Sequence, residues 1–310
     1  MHAAISVVTV TRNSADTILD CLASVREQTY PAEHVVIEGG SNDATLDLVD
    51  RFGSINVAVV SGPDEGIYDA MNKGIARCSG DVVGTLNADD FYAHDGVLER
   101  VARVFDDDNV DACYGDLLYV RQGSGTSRER ADAGKHPVRR DGCGRGPAAS
   151  AGSGLCLDGV AGESTRIFSV PHEVSVRCWR AGAFTPRAFY WGWMPPHPSF
   201  FVRRRLYQEF GGYRLDMGSA ADYELMLRFL VGHLFRAAYL PEVLVKMRCG
   251  GVSNRDLKHR VRANLMDRKA WVVNDLTPYP WTLWLKPLRK LPQWVRQPQG
   301  RPVGARGAVS

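Results

Sequence analysis

The sequence is poor in the features that mark membrane, nucleic-acid-binding or secreted chains. No apolar run among its 310 residues approaches the ~20 needed to cross a bilayer. Basic residues barely outnumber acidic ones, 38 to 35, for a net charge of +3. That balance argues against a nucleic-acid partner, which selects for a strong basic excess. The seven cysteines are odd in number and scattered, with no Cys-x-x-Cys pair. They read as reduced thiols of a cytoplasmic protein. The chain enters an apolar strand within its first ten residues, without a charged n-region, apolar core and cleavage site, so a secretory signal is not expected. Hydrophobic content of 45% and charged content of 24% are those of a globular protein.

What the chain does have is a regular alternation up to about residue 120. Apolar runs at 5–10, 34–37, 57–60, 81–86 and 112–114 read as strands. Between them, 15–28, 44–52, 67–76 and 97–105 carry apolar residues near helical spacing, such as Ile18, Leu22 and Val25. Such alternation predicts βαβ units, hence an α/β fold with a mainly parallel central sheet flanked by helices. Residues 121–166 break the pattern. They are rich in Gly, Ser, Ala and Arg and short of large apolar residues, which predicts a flexible insert.

Structure resumes near Glu173, followed by an aromatic block of Trp179, Phe184, Phe189, Tyr190, Trp191 and Trp193. Helices are predicted over 204–210 and 221–231, a strand over 236–245 with a turn at Pro241, and a basic amphipathic helix over 257–274. The tail holds Trp281, Trp284 and Trp294 among Lys286, Arg289, Lys290 and Arg296. Interleaved Trp and cations suit either a membrane interface or packing on the domain's own surface. Four units follow: an α/β half (1–120), the insert (121–170), a second ordered half (171–255) and a basic helical tail (256–310); the resemblance described below implies donor binding for the first and acceptor binding and catalysis for the third.

Four polar clusters follow predicted strands. They are Thr11-Arg12-Asn13, Glu38-Gly39-Gly40-Ser41-Asn42-Asp43, Gly62-Pro63-Asp64-Glu65-Gly66 and Asn87-Ala88-Asp89-Asp90. Clusters at the carboxyl ends of parallel strands converge on one crevice, where open α/β sheets bind ligands. Two adjacent carboxylates there repel each other and lose hydration, so a hard divalent cation carrying phosphate oxygens would compensate them. An acidic turn before the helix at 97, with Asp95 as N-cap, is the alternative.

These motifs, together with Asp64-Glu65-Gly66-Ile67-Tyr68-Asp69-Ala70-Met71-Asn72-Lys73-Gly74, His197-Pro198-Ser199-Phe200-Phe201-Val202, Ala221-Asp222-Tyr223-Glu224-Leu225-Met226-Leu227-Arg228 and Gly250-Gly251-Val252-Ser253, resemble the inverting family-2 glycosyltransferases with a GT-A fold. The similarity spans about residues 5–120 and 171–255, and looks like the branch that builds bacterial surface polysaccharides or glycolipids. It implies a nucleotide-diphospho-sugar transferase, UDP-sugars being the implied donors. Thr11, Asn13, Glu38, Asp64, Asn87, Asp89 and Arg248 would bind the donor nucleotide, Asp90 and His197 would hold Mn2+ or Mg2+, and Asp222 would be the catalytic base. The implied partners are the donor sugar nucleotide and a lipid-linked saccharide or polysaccharide acceptor, with peripheral contact at the inner face of the plasma membrane. The motif after the second strand usually opens with Asp, and here it is Glu38. Alternative readings are a sugar-phosphate nucleotidyltransferase, disfavoured because residues 9–13 lack its glycine-rich loop, and a non-catalytic nucleotide-sugar-binding protein.

Overall fold

The computed structural model describes residues 2–52, 57–122, 166–170, 173–249 and 257–289. Most of the insert, residues 123–165, and the Gly250–Ser253 motif lie outside the described residues. So does Trp294.

The alternating first half forms as its pattern predicts. Strand β1 (Ile5–Thr11) is buried along its whole length, as suits a parallel strand covered on both faces. It pairs in parallel with β2 (Ala32–Glu38) and β4 (Val82–Asn87), and β2 pairs in parallel with β3 (Val57–Ser61). Alternate residues face opposite layers. Val8 and Val10 pack with Ala70, Met71 and Ile75 of helix α3 (Ile67–Ile75). Ile5 and Val7 pack with Cys21 and Val25 of α1 (Ile18–Arg26) and with Val97, Leu98 and Val101 of α4 (Val97–Val104). Helix α2 (Thr45–Phe52) joins a smaller cluster through Val49, with Ile18, Leu22 and Val36. Asp95 does not cap α4: the N-cap is Gly96, and Asp95 Oδ1 instead accepts from Arg166 N (2.9 Å).

The second half completes the same sheet rather than building another. The remaining strands are β5 (Asp90–Tyr92), β6 (Ala112–Gln122), β7 (Glu173–Trp179), β8 (Phe201–Arg203) and β9 (Ala237–Arg248). The sheet order is β3-β2-β1-β4-β8-β6-β9-β5, with β7 on β6. Antiparallel β8 wedges between β4 and β6 through Val202. Pro241 makes no turn, because it lies inside β9 where the register with β6 shifts between Gly115 and Leu117. Two residues assigned to the insert, Arg121 and Gln122, end β6, and Phe168 is tied back through its carbonyl to buried Lys246, which also pairs with Glu173 (2.8 Å).

The remaining helices cover one face of this late-formed edge. They are α5 (Pro186–Tyr190), α6 (Arg204–Phe210), α7 (Ala221–Leu227), α8 (Leu257–Val272) and α9 (Thr282–Leu288), with a π-turn Arg228–Gly232 extending α7. Trp193 and Tyr190, considered above with Trp191 as aromatic residues of the acceptor half, belong to packing. Trp193 is core and donates Nε1–H to the Ala181 carbonyl (2.7 Å), and Tyr190 stacks between Trp271 and Tyr279. The described tail is docked: Trp271 is buried and donates to Tyr223 Oη (2.9 Å), and buried Thr282 donates to the Tyr190 carbonyl (2.7 Å).

Candidate active site

The carboxyl ends of β1, β2, β3 and β4 form one edge. Thr11 pairs in register with Glu38, and Glu38 with Ser61. Gly39 N donates to the Thr11 carbonyl and Gly62 N to the Glu38 carbonyl, which stitches the three strand ends together. Gly39 leaves no room for a side chain, since an added Cβ would strike Asp64 Oδ2. Asp64 therefore lies over the start of the second loop, and Thr11, Glu38 and Asp64 come together as expected.

Glu38 is buried and already occupied. Its Oε1 accepts from Ser41 N (2.5 Å) and its Oε2 from Ser61 Oγ (2.7 Å). Burial pushes the carboxyl up, but the hydrogen bonds from Ser41 and Ser61 outweigh it and hold Glu38 below its ordinary range. Glu38 thus stays charged and braces the loop. Asn13, in left-handed backbone (φ 51°), accepts from Asn42 N (2.9 Å), while its own N–H donates to Ser41 Oγ (2.8 Å). The first two loops are therefore laced to each other through groups assigned to the nucleotide.

At the fourth strand end the two carboxylates differ. Asp89 keeps exposed surface, whereas Asp90 has none and begins β5 beside Met247 of β9. Burial, and then the charge of Asp89, push the Asp90 carboxyl well up. Arg248 closes this corner. It pairs with Asp20, donates Nη1–H to the Asp89 carbonyl (3.0 Å) and lies over the Phe91 ring (5.0 Å). Four buried polar atoms remain without a partner among the described residues: Thr11 Oγ1, Asn87 Oδ1, Asp90 Oδ1 and Arg248 Nε. They sit on connected positions, Asn87 opposite Val10 of β1 and Asn87 Nδ2 3.4 Å from Asp90 Oδ2. Each such orphan costs about 1–3 kcal/mol unless something satisfies it.

A second centre lies at the start of α7. Asp222 Oδ2 stands 3.3 Å from His197 Nδ1, with the two side chains 16% and 29% exposed. The N-cap of α7 is Ala220, not Asp222, whose Oδ1 accepts from the N–H of Tyr223 (2.8 Å). The Tyr68 phenol is hydrogen-bonded at Asp222, and burial, then the Asp222 charge, hold it well above its ordinary value, so it remains a donor. The Tyr68 ring packs on Tyr213 (5.3 Å), and Asn72 clamps the Tyr213 backbone through two 2.8 Å bonds. Behind α7, buried Glu224 binds Arg228, which also donates to the Gly211 and Gly212 carbonyls. Tyr68, Asn72, Glu224 and Arg228 stand inside the motifs without a role expected from the sequence. His197, expected beside the metal, has Asp222 as its partner among the described residues.

The donor set suits a cation brought in with a substrate. No group of three His, Cys, Asp or Glu side chains converges on a metal-sized site among the described residues. Hard cations of the Mg2+ and Mn2+ type are nevertheless held by one or two carboxylates plus substrate phosphates. Asp89, Asp90 with its orphaned Oδ1, and the Asn87 carbonyl provide that kind of set.

A mixed sheet, parallel through β1 to β4, with helices on both faces and loop clusters at the carboxyl ends of the parallel strands, is an α/β fold of the GT-A type. The chain belongs to glycosyltransferase family 2. The model of that family, described as glycosyl transferase family 2, matches residues 6–148. An uncharacterized glycosyltransferase of Mycobacterium tuberculosis (strain CDC 1551 / Oshkosh) is 32% identical over 227 residues, 72% of this chain and 68% of the relative. A PGL/p-HBAD biosynthesis glycosyltransferase of Mycobacterium bovis (strain BCG / Pasteur 1173P2) is 34% identical over 118 residues, 36% of this chain and 46% of that protein. Among solved structures, S. aureus TarS 1-349 in complex with UDP-GlcNAc aligns with a TM-score of 0.54 at 16% identity, over 94% of this chain and 78% of that one. The mannosyltransferase PcManGT from Pyrobaculum calidifontis, in complex with GDP-Man and Mn2+, aligns with a TM-score of 0.54 at 17% identity, over 94% and 70%. The chain spans 39% of a longer S. aureus TarS structure, at a TM-score of 0.51 and 17% identity. At these identities the structural likeness speaks for the fold.

Proposed function

We propose that the chain moves a sugar, with inversion, from a UDP-linked donor to a hydroxyl of a lipid-linked saccharide or polysaccharide acceptor. The observation that carries this reading is the row of four orphaned buried polar atoms along one sheet edge. A nucleoside diphosphate with its cation would satisfy hydroxyl, amide, carboxylate and guanidinium together. Thr11, Asp64 and the laced loops would receive the nucleoside, with Glu38 and Asn13 holding those loops in shape. Asn87 and the Asp89–Asp90 pair would hold the cation, with Asp89 the one open to it. When bound, that cation supplies positive charge against the departing diphosphate. Arg248 adds charge at the same corner while fixing the Asp89 carbonyl.

Asp222 is the base. Its carboxylate accepts the acceptor's O–H proton as the oxygen bonds to the sugar's anomeric carbon, and the nucleoside diphosphate departs with the electron pair of the broken C–O bond. With its proton on Nδ1, His197 donates to Asp222 Oδ2, and Tyr68 donates beside it. Both orient the carboxylate, whose Oδ1 also accepts from Tyr223 N–H, and its remaining lone pairs are open to the acceptor hydroxyl. The charged carboxylate is a weak base, so proton transfer accompanies bond formation rather than preceding it. The leaving group needs no acid, which separates this chemistry from glycoside hydrolysis despite the shared oxocarbenium-like transition state.

Calorimetric titration of UDP, GDP and dTDP, with and without Mn2+, tests the donor reading. Binding of UDP that weakens without Mn2+ is expected, and no binding of any nucleotide would overturn it. Incubation with a UDP-sugar tests the non-catalytic alternative, since a binding protein would release no UDP. Peripheral membrane contact is part of the same reading. Among the described residues no helix is long and apolar enough to cross a membrane, while Trp191, Tyr279 and Trp281 form an exposed aromatic cluster and Trp284, three residues on, is exposed as well. Trp284, 75% exposed, should release the protein from the membrane fraction when changed to Gln; unchanged fractionation would remove this part of the reading.

A further inference from the structure

A cavity of roughly 190 Å3 opens between the end of β7, the loop before His197 and helix α9. Trp179, Ala181, Trp193 and Met194 wall it, and Arg180, Lys286 and Arg289 stand around it. We propose that this cavity is a subsite for an anionic, phosphate-type group on the acceptor, a proposal that rests on the transferase reading above.

The three cations are not equivalent. Lys286 is committed: its Nζ lies 2.6 Å from Asp267 Oδ2 and 3.7 Å from the centroid of the Tyr223 ring. Arg180 and Arg289 are exposed; Arg180 is hydrogen-bonded at Cys178 and feels the Asp116 charge, but neither makes a salt bridge within 4.0 Å among the described residues. Asp116, which feels the charge of Arg180, spends Oδ1 on Ala181 N–H and Tyr239 O–H, each at 2.8 Å. Two guanidinium groups beside an apolar wall suit a ligand with phosphate oxygens on one side and a ring or chain on the other. The volume admits one headgroup or one ring edge, not an oligosaccharide.

Position links the cavity to the base. Met194 reaches His197 through Pro195 and Pro196, whose rings fix φ and stiffen the span to at most about 10 Å. Lys286 rests on Tyr223, the residue after Asp222. A group anchored in the cavity therefore presents its neighbouring hydroxyl near the His197–Asp222 pair. The cavity also shares Gly192 and α9 with the exposed tryptophan face, because Gly192 packs directly on the Leu285 and Lys286 backbone. A phosphate borne by a lipid and a phosphate on a soluble saccharide would both fit this chemistry.

The full chain saturated with UDP and Mn2+, so that the donor edge is filled, is titrated with glucose 1-phosphate and with glucose. Glucose 1-phosphate should bind at least tenfold more tightly, and Arg180→Gln and Arg289→Gln should each weaken it about tenfold, with UDP affinity unchanged. In parallel, the chain is floated with phosphatidylcholine vesicles with and without dihexadecyl phosphate. A preference for the charged vesicles that both variants remove assigns the group to a lipid, and a preference confined to glucose 1-phosphate assigns it to a soluble acceptor. Equal binding of charged and uncharged probes in both arms, or binding indifferent to both variants, overturns the proposal. Failure of UDP itself to bind in the first step would overturn the donor reading instead.

Discussion

The proposed donor edge and the proposed base centre are built by opposite strategies. The donor edge comes from consecutive strand–loop units. Its loops are tied to one another by short bonds such as Ser41 to Glu38 and Asn42 to Asn13, and its open groups are the four orphans. The base centre gathers Tyr68, Asn72, His197, Tyr213 and Asp222 from across the chain, and holds them by contacts between distant segments. Local construction yields a rigid platform for a common ligand. Distant construction yields a centre whose parts can be exchanged separately, which suits the variable half of a transfer reaction.

The largest expected effect breaks the second region and spares the first. Asp222→Asn should lower transfer by roughly 10²–10⁴-fold, the usual range for a general base, while UDP affinity measured by calorimetry stays within twofold of wild type. His197→Gln should lower kcat by about tenfold, with the KM for the donor and its Mn2+ dependence unchanged. A loss of Mn2+ dependence would return His197 to the metal. The first region breaks through Asp89→Asn, which should weaken UDP binding about tenfold with Mn2+ present and not at all in its absence. Asp90→Asn removes a carboxylate that burial and the Asp89 charge disfavour, so it should raise the melting temperature while weakening Mn2+-dependent UDP binding.

Acid should act on the first region through stability. Burial holds His34, bonded to Thr9 Oγ1 at 2.8 Å, down at about 4 from an ordinary 6.5. Its depressed value means that the unfolded chain takes up a proton that the folded chain refuses. Stability is therefore complete above pH 6.5 and falls as pH drops toward 4, by about 3 kcal/mol for this group. Thermal melts across that window should show the loss, and His34→Gln should reduce it, leaving the share of His94, which burial likewise holds at about 4. The smallest effect is that of Glu38→Asp. A carboxylate one methylene shorter cannot reach both Ser41 and Ser61, so about 1 kcal/mol of stability should go, with nucleotide preference among UDP, GDP and dTDP unchanged.

The contrast also explains what was legible in the sequence. Strands β1 to β4 and their helices announce themselves by period and by turn residues, because each is a local decision between burial and exposure. Arg204–Phe210 was equally plain, a short amphipathic helix stopped by Gly211. The three-residue strands β5 and β8 were not, since Asp90–Tyr92 and Phe201–Arg203 become strands only because partners arrive from far along the chain. The same limit applies to the sites. The loop clusters foretold a crevice, but not that Glu38 and Asn13 would be consumed in bracing it. No spacing rule brings His197 or Tyr68 to Asp222, because those contacts depend on how β8 and α7 are placed by the sheet.

The sheet order has a further consequence for how the molecule comes into being. Strand β5 is synthesised about 145 residues before its partner β9 begins, and β4 must wait for β8. At typical translation rates that interval is on the order of ten seconds, during which the donor half has an open β4 edge and an unpaired β5. Exposed edges of this kind recruit other strands. The nascent chain is thus most vulnerable to misassembly after its most recognisable half has been made, and the pairing of β8 and β9 ends that exposure as well as completing the site.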